Sequence, residues 1–166
     1  IRELANTENP DIGFSPTMNG VAFAPVPSAQ RMTSGILMDH GLERSQALTR
    51  LVDLGPRALP QLLAALDDKT PPQLTIEHSG GFGGMWHEVT DVLVKGRLSK
   101  YTVRVGDLCY VIIGQIVTRP YCAVRYQPTA CIIIRSPTQS SMLVDELRNL
   151  WGSAEPRQVI WKSLRR

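Results

Sequence analysis

Residues 78–88, HSGGFGGMWHE, place two histidines beside four glycines, with carboxylates on either side. Imidazole and carboxylate are zinc ligands. His78, His87, Glu88 and Asp91, with Glu77 next to them, supply both types. If the segment were a hairpin, His78 and His87 would face each other and Glu88 or Asp91 would complete a set. A small metal-dependent hydrolase is therefore the alternative reading. The spacing weighs against it, because H-E-x-x-D is not the H-E-x-x-H of a helical zinc site. Neither G-x-G-x-x-G nor G-x-x-x-x-G-K occurs, so the glycines are not a phosphate loop. Consecutive glycines do supply positive φ and close backbone approach, as a tight reversal between two extended segments requires. The loop is expected to be structural and to hold no metal. Phe82 and Trp86 are its candidate binding side chains.

A second constellation comprises Arg119, Tyr121, Arg125, Tyr126 and Gln127. Two guanidinium groups with two phenols could hold an anion or a peptide carboxylate. The same residues could instead bond neighbouring helix ends and brace an irregular connection. Nucleophilic chemistry has little support. Cys109 lies in an apolar stretch with no histidine nearby, and Ser79, Ser140 and Ser141 lack a G-x-S-x-G context. His40, between Asp39 and Gly41, belongs to a turn. No catalytic residue is expected. The spacings of Cys109, Cys122 and Cys131 fit no C-x-x-C metal pattern. Buried thiols are expected. A Cys122–Cys131 bridge is the alternative and would require an oxidising compartment.

The composition excludes other classes. The 166 residues carry a net charge of +3, spread along the chain except for the closing KSLRR. Nucleic-acid binders gather basic side chains on one face with aromatics between them, and no such patch is seen. The longest apolar runs, YVIIG and ACIII, are far short of the roughly 18 residues that cross a bilayer. A soluble protein without cofactor is expected. A chain that starts at Ile1 fits either a removed export signal or a trimmed polypeptide, so a cytoplasmic and an exported location both stay open.

The elements around these residues read as follows. Residues 1–30 contain four prolines and no sustained period, which predicts an extended arm lying on the domain. LERSQALTRLVDLG spaces Ala47, Leu48, Leu51, Val52 and Leu54 as a helix that Gly55 ends. PRALPQLLAALDD restarts with Pro56 and carries a stripe of Leu59, Leu62, Leu63 and Leu66. QLTIEH and KYTVRV alternate as strands, and WHEVTDVLV fits strand or helix. GDLCYVIIGQIVTR is apolar nearly all round, a buried central helix with Asp107 as N-cap. Its Gly114 implies close approach of a neighbouring backbone. YCAVRYQPTACIIIRSP reads as a connection into a short apolar strand. Two more helices follow, one ending at Gly152 and the other opened by Pro156 with Val159, Ile160 and Leu164 inward.

The paired helices joined by DLGPRALP resemble one HEAT-type hairpin. The block from 101 to 137, with VGDLCYVIIGQIV, AVRYQPT and IIIRSP, resembles a group of bacterial proteins with no assigned activity. The shared LGPxALPxLL and GGFGGM motifs extend this resemblance to roughly residues 40–150. The resemblance supports an architecture and implies no reaction. The expected fold is one mainly helical domain over 31–166, built on a HEAT-like hairpin, with a small β element and a Gly-rich loop or hairpin inserted at about 72–105. The expected function is a non-enzymatic binding or scaffold module whose partner is another protein or a larger assembly.

Overall fold

The computed structural model describes residues 1–8, 46–77, 83–88, 98–126, 131–153 and 155–164. Helix α3 (Val105–Ile116) forms its centre, and every side chain from Val105 to Ile113 is buried. Helices α1 (Gln46–Leu54) and α2 (Leu59–Ala64) pack on α3 from the N-terminal side of the sequence. So does a 3-10 turn at Arg2–Asn6, which buries Leu4 completely. This turn replaces extended chain at the start of the expected arm; the rest of the arm, from residue 9, lies outside the described residues. Helix α4 (Ser141–Trp151) packs on α2, and α5 (Pro156–Leu164) on the 3-10 turn Gly55–Ala58.

The leucine stripe formed as the spacing requires, with Leu59, Leu62, Leu63 and Leu66 all buried. Gly55 has φ +58°, the left-handed cap that ends α1. The HEAT-like, mainly helical expectation is nevertheless overturned. The described residues include five strands in two small sheets. Helix α2 spans six residues, less than two turns, too little to present a stripe to a second hairpin. Its leucines are used on α3 instead.

The glycine segment does not join two paired strands either. Strand β1 (Thr75–Glu77) pairs antiparallel with β3 (Lys100–Thr102), Ile76 opposite Tyr101. Strand β2 (Met85–His87) belongs to the other sheet, parallel to β5 (Ile132–Ile134), which in turn pairs antiparallel with β4 (Val124–Tyr126). The glycines therefore connect two sheets. The expected hairpin fails because Leu74, Ile76, Tyr101 and Val103 form one apolar face, whereas Met85 pairs with Ile132 in the other sheet. Gly83 has φ +77°, so a conformation that only glycine adopts freely is used there.

Two further corrections concern helix ends. Helix α3 begins at Val105, so Arg104 is its N-cap and Asp107 sits in its first turn. The amides of Val105 and Gly106 donate to the carbonyls of Thr70 and Asp68, at 2.9 Å each. These distant partners satisfy groups that a capping side chain would otherwise serve. In α5, Val159 is buried but Ile160 is 51% exposed, so Ile160 faces outward, and the Leu164 side chain lies outside the description.

Helix α3 ends in a Schellman turn. The Arg119 amide donates to the Gly114 carbonyl at 2.9 Å, with Thr118 at φ +53°. The returning chain leaves no room at Gly114, where a Cβ would lie 2.7 Å from the Tyr121 Cβ and 2.8 Å from the Arg119 carbonyl. This is the close approach that the sequence implied. A β-branched residue is strained in the left-handed region. Thr118 is exposed, so its side chain gives little in return. Thr118→Gly is expected to raise stability by about 0.5–1 kcal/mol, read as a higher urea midpoint at unchanged slope. An unchanged or lower midpoint would contradict it.

Candidate functional site

The three-stranded sheet has two unlike faces. Alternation along the strands sends Met85, Ile132, Ile134 and Val124 to one face, where all are buried. The other face carries Trp86, Ile133 and Arg125, which the registers set side by side in one row across β2, β5 and β4. The next row holds Glu88 and Arg135. The ladder continues past the strand ends, since the Glu88 amide donates to the Ile134 carbonyl and the Arg135 amide to the Ala123 carbonyl, both at 2.8 Å. Trp86 is 43% exposed, a large aromatic held in a strand yet open to solvent.

Glu88 forms an ion pair with Arg125. The two residues come from the outer strands, so their side chains meet over the central one. The structure thus brings together Trp86 and Glu88, from the glycine segment, with Arg125, from the second constellation. Tyr121 makes different contacts. The Tyr121 ring stacks on Tyr110 at 5.1 Å and its hydroxyl accepts a hydrogen bond from Trp151 Nε1 at 3.2 Å. That contact ties the approach to β4 to the end of α4. The Tyr126 side chain and Phe82, Gln127, His78 and Asp91 lie outside the described residues.

Strand geometry separates two of the proposed metal ligands, His87 and Glu88. His87 and Glu88 are consecutive, so they project from opposite faces. His87 packs edge-on against Tyr101 at 5.9 Å, and burial lowers its pKa, favouring the neutral ring. Glu88 is engaged by Arg125. Among the described residues, no group of three or more His, Cys, Asp or Glu side chains is placed to hold a metal ion.

The most elaborate polar cluster was missed by sequence reading. Asp107 is completely buried. One of its oxygens accepts from the Tyr101 hydroxyl and the Arg104 amide, at 2.8 Å each, and the other accepts from the Ser136 hydroxyl at 2.5 Å. Ser136 also meets the Thr138 hydroxyl at 2.9 Å. Burial raises the Asp107 pKa to about 6, partly offset by bonds from Ser136, Tyr101 and the Arg104 backbone. Burial likewise raises that of Tyr101. A carboxylate with a perturbed pKa is a candidate acid or base, yet here its oxygens are closed by protein groups. The cluster joins β3, α3 and the segment before α4. The signal available in sequence was the aspartate opening an otherwise apolar helix, and its partner Ser136 lies 29 residues away.

The cysteines are thiols and no disulfide joins Cys122 to Cys131. Cys109 is fully buried and its pKa is pushed up to about 12 by that burial. Nucleophilic thiols are thiolates. In the folded protein, Cys109 and the buried Cys122 are therefore expected to resist a thiol reagent at about pH 8, with at most one fast equivalent, from half-buried Cys131. Three fast equivalents before unfolding would contradict this. No family model, curated protein or solved structure matches the chain.

Proposed function

We propose that the chain is a non-enzymatic recognition module that binds another protein on the outer face of the β2–β5–β4 sheet. The observation carrying this reading is the row Trp86–Ile133–Arg125, with Trp86 43% exposed. Tryptophan and arginine are the side chains in which interface energy concentrates. Strand pairing fixes their backbones in advance, so little ordering cost remains on binding. The protein groups that close both Asp107 oxygens and the complete burial of Cys109 support a reading without catalysis.

The test is a comparative capture from a cell extract with the full chain, Trp86→Ala and Arg125→Ala, followed by affinity measurement on the purified prey. Circular dichroism and urea melts establish that both variants fold. A prey bound by the full chain is expected to lose at least about tenfold in affinity to each variant, the scale of a hot-spot truncation. Equal affinity for all three chains would sink the proposal.

A further inference from the structure

We infer that this sheet face contains an oxyanion site formed by Arg125 and Arg135, which receives a carboxylate or phosphate group of the bound molecule. The inference rests on the proposed use of the same face and adds the chemistry of the ligand.

Charge is unbalanced there. Arg135 stands beside Glu88 across the β2–β5 pair and diagonally next to Arg125 across the β5–β4 pair, on the same face as both. Diagonal neighbours in a sheet lie about 7–8 Å apart, within reach of long side chains. Glu88 answers one of the two arginines through its ion pair with Arg125. Among the described residues, the two guanidinium groups of these adjacent rows thus have a single carboxylate between them.

Hydrogen bonding is unbalanced in the same direction. The Nε atoms of Arg125 and Arg135 are both buried and both lack a hydrogen-bond partner. A buried N–H of a charged group is expensive to leave unpaired, and such groups in native proteins generally find water or an ion. Two donors on neighbouring arginines lack the same thing, an acceptor. The guanidinium fork matches the paired oxygens of carboxylate and phosphate. The Tyr110 hydroxyl, fully buried and without a hydrogen bond, is within the electrostatic influence of both Arg135 and Glu88. Trp86, in the same row as Arg125, offers an apolar surface for whatever bears the oxyanion.

The experiment is an NMR titration of the arginine Nε–Hε resonances in the full chain, assigned with Arg125→Lys and Arg135→Lys. Inorganic phosphate and acetate are added separately at ionic strength held constant with sodium chloride. The same two resonances are expected to move to saturation with at least one anion and not with chloride alone. Saturation by phosphate only assigns the ligand group to a phosphate, by acetate only to a carboxylate, and by both to either. In Glu88→Gln, which removes the internal competitor while keeping its shape, affinity is expected to rise, on the order of tenfold. A misfolded variant would not produce this gain. Shifts that stay linear and match those of chloride would overturn the site, as would unchanged or weaker binding in Glu88→Gln. Saturable anion binding without any captured prey would leave the site standing and remove the protein-recognition reading. Prey binding that depends on Trp86 without anion binding would do the reverse.

Discussion

Asp107→Ala is expected to lower stability by about 4 kcal/mol, the largest single loss expected among polar substitutions at the described residues, whereas Asp107→Asn is expected to cost little. The alanine variant strands three donors in a dry site: the Tyr101 and Ser136 hydroxyls and the Arg104 amide. Each such group costs about 1–3 kcal/mol when left unpaired. Asparagine can replace the carboxylate donor for donor. Tyr101 and Arg104 share one carboxylate oxygen, so an amide oxygen there still accepts both. The amide nitrogen then takes the place facing Ser136 and donates to its hydroxyl, and Ser136 passes its own hydrogen to Thr138. A protonated Asp107 would bond in the same pattern, which is why burial can hold its pKa near 6 without breaking the network.

Asp107→Asn also differs from the wild type in its pH dependence. The pKa of Asp107 is raised on folding, from 3.8 to about 6. The folded state therefore holds a proton that the unfolded state releases first. The stability linked to this group is fully present below about pH 4 and is lost as pH rises through about 6, a loss approaching about 3 kcal/mol. Urea midpoints of wild type and Asp107→Asn, measured at about pH 4 and about pH 7, check both claims. The two chains should be close in stability at the acidic pH, with asparagine the more stable at neutral pH by up to that loss. A wild type that gains on asparagine as pH rises would show that the ionised carboxylate is favoured, and the account would fail.

Where the sequence was readable, the reason was local. The Leu59, Leu62, Leu63, Leu66 spacing, the alternation of Leu74 with Ile76 and of Tyr101 with Val103, and the all-apolar run after Asp107 are periods of 3.6 or 2 that one segment carries by itself. What failed depended on partners far along the chain. Nothing in Ile132–Ile134 states that β2 will lie parallel to it, so the glycine segment read as a hairpin. The HEAT likeness rested on a leucine stripe, and a stripe gives the buried face without naming what covers it. Two members of the metal set, His87 and Glu88, are neighbours in sequence, but in a strand they point apart; His78 and Asp91 lie outside the described residues. Trp86, Glu88 and Arg125 were each singled out by residue type, but their common face follows from the β2–β5–β4 register, which no local pattern encodes.

The same long-range dependence sets the expectation for Gly106→Ala: a loss beyond the roughly 1–3 kcal/mol of ordinary overpacking, large enough to threaten folding at 37 °C in a protein of ordinary marginal stability. In most helices, glycine to alanine is stabilising by about 1 kcal/mol, so the predicted sign is the opposite of propensity. A Cβ at residue 106 would lie 2.1 Å from the Leu66 carbonyl oxygen and 2.7 Å from the Thr138 methyl. The first contact is with backbone, so no side-chain rotation relieves it, and α3 must move away from the end of α2. That movement breaks the bonds from the Val105 and Gly106 amides to Thr70 and Asp68, leaving the start of α3 uncapped. It also pulls Asp107 from Ser136, so the cap and the buried network fail together. Gly152→Ala provides the comparison, because its crowding is with the carbonyl of Arg148, one turn earlier in the helix it ends, and involves no other element. Urea melts of both variants should show a much lower midpoint for residue 106 than for residue 152. A Gly106→Ala chain as stable as wild type would mean that α2 and α3 do not meet this closely.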